Sequence, residues 1–336
     1  MRIGSHDTDQ KVMVVAEIGN NHEGDFTVAQ KLIDLAAGAG ADAVKFQTAR
    51  ADLFISPADA DRRKRFASYE FSAAQWAQLS AQARNRGLLF MSTPLDLVSL
   101  EMLTPLIDAI KIASGDVTFA PLLDAAAATR KPIVLSSGAS GIDEVQAAVG
   151  RVRAQWAKSG HHGDLAVLHC VSAYPTPAPE AQLRAIPALA ERLDATIGYS
   201  DHVLGIEAAV AAAALGARVI EKHFTLDKNY SAFRDHQLSA DPAEMRALVD
   251  RVRAIEPMLG NGGKAIQPSE RANQSAIRRS IAAATNLPAG HVLQAADLIW
   301  IRPGTGLAPG HEHLLLGRTL ARNVAAGSLL SEADVK

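Results

Sequence analysis

The chain has 336 residues, 48% of them hydrophobic and 5% aromatic, with a net charge of −2. That length suggests one large or two unequal domains. Acids and bases are interspersed, with no charged tail to argue for a nucleic-acid or membrane partner. No apolar run approaches the ~20 residues a membrane helix needs, and Met1-Arg-Ile-Gly-Ser-His has no apolar signal core. A single cysteine, Cys170, excludes an intramolecular disulfide framework and suits a reducing compartment. A cytoplasmic protein is expected.

In chain order, eight β-rich runs alternate with amphipathic segments, at 12–18, 43–48, 88–93, 109–114, 132–137, 165–172, 195–200 and 218–224. Between them lie readable helix signals. Ser72-x-x-Gln75 is a capping box, and Gly87 ends the helix it opens. Asp96 and Asp143 are candidate N-caps, and Asp241-Pro242 opens the last helix of the series. Strands apolar on both faces and joined by helices are parallel strands covered by helices. Eight such units predict a (β/α)8 TIM barrel over 1–259. A doubly wound sheet is the alternative. The barrel is preferred because both ends of the series carry site-like residues, which closure makes neighbours. Residues 260–276, opening with Gly-Asn-Gly-Gly-Lys, read as a linker. Residues 277–336 read as a small unit with a weak repeat, Leu287 to Leu298 and Val324 to Val335, each copy with a helix-start Asp. The segment 54–70, with Arg62-Arg63-Lys64-Arg65, is either a loop over the site or a solvated helical face.

A barrel of this kind builds its active site at the carboxyl ends of the strands. There the sequence places Glu17, then Lys45 and Gln47, Ser92 and Thr93, Lys111, Ser114 and Asp116, Ser136 and Ser137, His169, Ser172 and Tyr174, Ser200, Asp201 and His202, and finally Glu221 and His223. His202 and His223, on adjacent strands about 5 Å apart, with Glu17 and open positions, suit a divalent first-row metal. Two structural histidines are the alternative. Lys45 and Lys111 interrupt apolar runs, and a lysine is almost never buried without a partner. Among serines and a threonine they suit phosphate and carboxylate groups. Salt bridges across the barrel and a Schiff-base lysine are the alternatives. Of Cys170 and His169, neighbours on one strand, only one can face the site; packing is the expected role of Cys170.

Glu17-Ile-Gly-Asn-Asn-His-Glu-Gly, Lys45-Phe-Gln-Thr, Ser92-Thr-Pro, Lys111-Ile-Ala-Ser-Gly-Asp, His169-Cys-Val-Ser-Ala-Tyr-Pro-Thr-Pro, Ser200-Asp-His and Glu221-Lys-His-Phe-Thr-Leu-Asp together resemble the sialic acid synthase family. The last unit, with Arg302-Pro-Gly-Thr-Gly, is similar to that family's antifreeze-like (SAF) domain. The resemblance implies a C–C bond-forming transferase that condenses phosphoenolpyruvate with an N-acylated mannosamine-type sugar, giving a nine-carbon 2-keto sugar acid and phosphate. It implies His202 and His223 as ligands of a divalent metal, usually Mn²⁺ with Mg²⁺ or Co²⁺ as options, and Glu17 beside it. Lys45, Gln47, Thr93, Lys111, Ser114, Ser136 and Ser200 would hold phosphoenolpyruvate. Asp116, Ser172, Tyr174 and Asp235 belong to the implied substrate set, Tyr174 and Asp235 on the sugar. A domain-swapped homodimer would bring Arg302 to the sugar's N-acyl group in the other protomer.

Three departures from the family pattern bear on the sugar. Asp116 stands where Glu is frequent, Ser172 replaces an Asn, and Ser231-Ala-Phe-Arg-Asp235 replaces Pro-Gly-Pro-Asp with one extra residue. These favour a modified acceptor such as a legionaminic-type 2,4-diacetamido sugar. A phosphorylated aldose acceptor, a metal-dependent aldolase and a non-catalytic sugar-binding protein are the competing readings.

Overall fold

A computed structural model describes residues 1–336. The chain divides into two compact units, Met1–Gly260 and Asn261–Lys336. No helix is long and apolar enough to cross a membrane.

In the first unit eight parallel strands close into a barrel. They are β1 (Met13–Gly19), β2 (Ala43–Thr48), β3 (Leu89–Pro94), β4 (Ala109–Ile112), β5 (Ile133–Ser136), β6 (Leu165–Cys170), β7 (Thr196–Asp201) and β8 (Val219–His223). Sequential strands pair in order, and β8 closes on β1 with His223 opposite Glu17. The sheet is closed, not doubly wound. Helices follow the strands, from α1 (Phe26–Ala39) through α2 (Ala73–Asn85), α3 (Leu97–Leu103), α4 (Ala120–Ala128), α5 (Ile142–Lys158), α6 (Ala185–Ala190) and α7 (Glu207–Ala214) to α8 (Pro242–Leu259).

The strands are apolar through most of their length because both faces are covered. Val14, Val44, Phe90, Ile110, Leu135, Val167 and Ile220 face the helices, while Met13, Val15, Met91, Ala109, Val134, Leu168 and Val219 fill the barrel. Met1 and Ile3, from a short hairpin pairing Arg2–Ile3 with His6–Asp7, join that inner cluster and plug it. With apolar residues filling the interior, the polar ones of the same phase are left to its carboxyl end.

Local signals act as the sequence indicates at most helix starts. Ser72 and Gln75 close a reciprocal capping box at α2, Asp96 caps α3 through the Ser99 amide, and Asp241 caps α8 through Ala243 and Glu244. Asp143 is not a cap. Gly141 is the N-cap of α5, and Asp143 lies within the first turn, where its charge favours the helix N-terminus. The excursion after β2 forms helices Ala51–Phe54 and Ala60–Ser68, and the second buries no residue, so its basic run is a solvated face.

The second unit opens with the short helices Pro268–Arg271 and Gln274–Ile277, then pairs β9 (Ser280–Ala283) antiparallel with β10 (Leu298–Ile301). Ile281, Leu293, Leu315, Leu320 and Leu330 are among its core residues. Its repeat is real, but neither Asp starts a helix. Asp297 and Asp334 are third in their turns and reach back to accept from the Gln294 and Ser331 amides, each at 2.8 Å.

Candidate active site

The inner phase of the strands carries Glu17, Lys45, Thr93, Lys111, Ser136, Cys170, Ser200, Glu221 and His223 onto one rim. Lys45 Nζ lies 2.7 Å from Glu17 Oε2, 3.7 Å from Glu221 Oε2 and 3.1 Å from Thr93 Oγ1. Lys111 Nζ lies 3.6 Å from Glu221 Oε1. Ser200 donates to Glu221 Oε1 at 3.0 Å, and Gln47 donates to Glu17 Oε1 at 3.0 Å. Two cations and two anions thus alternate in a nearly dry pit. Glu221, a rim position to which the sequence assigns no role, is the counter-charge shared by both lysines.

Burial would raise Glu221, but the Lys111 and Lys45 ammoniums outweigh it and hold the carboxyl down at about 2. Glu17 goes the other way: burial raises it, and the Glu221 charge adds to that against Lys45. Burial would lower Lys45, yet the Glu17 and Glu221 carboxylates outweigh it and keep it raised. Lys111 is lowered by burial, with only Glu221 strongly opposed. Burial also raises Asp116, which faces Lys111.

The rings of His202 and His223 are 5.4 Å apart, with Tyr174 packed 4.1 Å from His202 and 6.2 Å from His223. Burial brings both imidazoles down to about 4, so each is neutral near pH 7. His202 Nδ1 donates to the Val171 carbonyl at 2.8 Å, an arrangement that leaves Nε2 with its lone pair. His223 Nδ1 is buried without a partner. Two neutral imidazoles, one oriented by a backbone carbonyl, fit a divalent metal. The three-residue cluster expected from sequence does not form, however. No group of three or more His, Cys, Asp or Glu side chains could hold a metal, and Glu17 is engaged by Lys45 and Gln47 instead.

Ser114 accepts from the Gly138 amide at 3.0 Å. A methyl on Gly138 would lie 2.3 Å from Ser172 Oγ and 2.8 Å from Ser114 Oγ, so glycine is required where these loops meet. Ser136 Oγ is buried and unpartnered beside them. Asp235 sits in the helix Arg234–Leu238 after β8. Arg302 belongs to the other unit, where it is exposed.

Several expected rim residues face outward. His169 bonds the Ala181 carbonyl at 2.8 Å and stacks on Tyr199 against the helices, while Cys170 points inward, 3.8 Å from His202 Nδ1. The two are the reverse of the sequence expectation. Ser92 bonds Thr48 and the Phe46 carbonyl, and Ser137 bonds the Leu168 carbonyl. Asp201 is on the helix side, 2.9 Å from Lys222 Nζ and 3.1 Å from the Tyr199 hydroxyl. That buried pair ties β7 to β8 directly behind the two histidines.

Fold and rim together define a (β/α)8-barrel enzyme. Residues 32–264 match the NeuB family and residues 278–336 the SAF domain, and the chain belongs to the NeuB family. It is 37% identical to the N,N'-diacetyllegionaminic acid synthase of Legionella pneumophila, over 94% of this chain and 92% of that one. It is 34% identical to a pseudaminic acid synthase of Campylobacter jejuni over the full length of both. The crystal structure of an N-acetylneuraminic acid synthetase from Leptospira borgpetersenii, in complex with citrate, superposes with a TM-score of 0.74 at 33% identity, covering 81% of this chain and 94% of that one.

Proposed function

We propose that this chain is a nonulosonic acid synthase that condenses phosphoenolpyruvate with an N-acylated hexosamine, releasing phosphate and forming a nine-carbon 2-keto sugar acid. The observation that carries the reading is the rim itself: two buried lysines sharing Glu221, beside two neutral histidines, in a chain with relatives named as synthases of such acids. A legionaminic-type acceptor with two acylamino groups is favoured by the departures around Ser172 and Ser231–Asp235. A phosphorylated sugar finds no basic cluster beyond the solvated Arg62–Arg65 helix.

In this reading Lys45 and Lys111 take the phosphate and carboxylate of phosphoenolpyruvate, exchanging part of their pairing with Glu17 and Glu221 for the ligand. Thr93, Ser114, Ser136 and Ser200 supply hydroxyl donors, Ser136 from a hydroxyl otherwise unpartnered. Gln47 orients Glu17, whose raised pKa suits it to take a proton from the water that adds at C2. Phosphate then leaves against the two ammoniums. His202 and His223 are the residues to hold a divalent metal, with Mn²⁺ proposed and Mg²⁺ or Co²⁺ as options. Such an ion would supply Lewis-acid polarisation of the acceptor's aldehyde. A cytoplasmic setting and a domain-swapped homodimer, in which Arg302 reaches the partner's acceptor, complete the proposal.

The test is phosphate release from phosphoenolpyruvate with Mn²⁺ across N-acetylmannosamine, its 6-phosphate and a 2,4-diacetamido-trideoxy hexose. Sugar-dependent release, abolished in His223→Ala, is expected. Turnover when pyruvate replaces phosphoenolpyruvate, with no phosphate released, would point to an aldolase instead, and no turnover with any sugar to a binding protein.

A further inference from the structure

The Arg234 guanidinium lies 4.7 Å above the Tyr174 ring, which itself packs on His202. Arg234 Nε is 3.2 Å from Asp235 Oδ1, and the side chains are 65% and 13% exposed. The pair therefore stands at the lip of the pit, with Tyr174 between Arg234 and His202. Its backbone is pinned. Ser231 donates to Glu23 Oε1 at 2.5 Å, and His236 bridges Glu23 and Thr225 at 3.0 and 2.6 Å. Phe233 packs against Tyr69. The loop that carries Arg234 is held in place before any ligand arrives, which lowers the ordering cost of a contact made there.

A guanidinium carries five N–H donors in a fixed fork, and the contact with Asp235 uses the one at Nε. The terminal nitrogens are left to donate, beside a carboxylate able to accept. The pair is neutral as a unit, so its field does not select a phosphate dianion. Side by side, a donor and an acceptor complement a secondary amide, whose carbonyl accepts from arginine while its N–H donates to aspartate. In the synthase reading, an acceptor sugar with its aldehyde end at His202 and His223 would extend its far half along Tyr174 to this pair.

We propose that Arg234, together with Asp235, sets acceptor specificity by reading a second N-acyl group, so that the preferred acceptor is a hexose bearing two acylamino groups. This inference rests on the synthase reading above.

The test compares kcat/KM for the 2,4-diacetamido-trideoxy hexose and for N-acetylmannosamine in the wild-type full chain, Arg234→Ala and Arg234→Lys, with Mn²⁺. The wild type is expected to prefer the diacetamido sugar. In Arg234→Ala the preference ratio is expected to fall about tenfold or more, through the KM of the diacetamido sugar, because a site built to hydrogen-bond a group loses most when that bond is lost. Arg234→Lys restores little, since an ammonium lacks the planar fork. The KM for phosphoenolpyruvate reports separately on the integrity of the barrel. An unchanged ratio, an equal loss for both sugars, or a wild-type preference for N-acetylmannosamine overturns the assignment of Arg234 and leaves the synthase reading standing. No phosphate release by the wild type with any sugar overturns both.

Discussion

The Lys45 ammonium stands 2.7 Å from the Glu17 carboxylate, with 2% and 1% of the two side chains exposed. Removing one partner of such a pair strands the other charge away from water. Lys45→Met is therefore expected to destabilise the barrel by about 3–5 kcal/mol. Adding Glu17→Gln to it should cost less than the two single changes summed, because the stranded charge is then gone. Urea unfolding of the two singles and the double checks this. Additive costs would mean that the pair contributes nothing as a pair.

Three imidazoles, His22, His202 and His223, are brought to about 4 by burial. In the unfolded chain they titrate near 6.5, so between the two values the unfolded state binds more protons. Stability from this source is full above pH 6.5 and falls as the pH drops toward 4, by up to ~1.4 kcal/mol per pH unit for each histidine. Urea midpoints of chelator-treated protein between about pH 7 and about pH 4.5 should show that slope. His22→Gln should flatten it by one histidine's share. A slope untouched by that change would mean His22 is not held neutral.

Gly138 leaves no room for a methyl between Ser172 and Ser114. Gly138→Ala is expected to displace Ser172 and to raise the acceptor KM several-fold, on the order of 1 kcal/mol. Ser172→Gly in the same chain removes the closest atom and should recover most of any stability lost to the clash, read as the urea midpoint, without restoring the acceptor contact of Ser172. Failure of that second change to recover it would place the damage in the Ser114 contact or the loop backbone.

The barrel was legible because its strands are buried on both faces and so read as unbroken apolar runs. Lys45 and Lys111 stood out because charge interrupts those runs. The same property hid the phase of each strand. Where both faces are apolar, no alternation tells which residue points inward, and a step of one residue exchanges the faces. Hence His169, Ser92, Ser137 and Asp201 were expected at the site and lie outside, while Cys170 lies within. The Lys222–Asp201 pair escaped notice for a related reason: its members belong to different strands and meet only through register. Gly141 supplants Asp143 as the N-cap of α5, and the side chain that closes this helix start is Glu144, which accepts from the Gly141 amide at 3.0 Å. Glu221 was placed on the rim by its strand, but its role as counter-charge depends on both lysines meeting it in space.

Met1 and Ile3 close the floor of the barrel. The pit within this unit is consequently a blind well, and molecules in it queue. Lys45 and Lys111 lie deep, at 2% and 4% exposure, whereas Arg234 is at the lip at 65%. A ligand held by the lysines arrives first and is roofed over by whatever then settles against Tyr174. If the proposed synthase reaction runs in such a well, steady-state kinetics are expected to be sequential and compulsory in order, the enol phosphate leading and the sugar following, with excess sugar acting as a stopper.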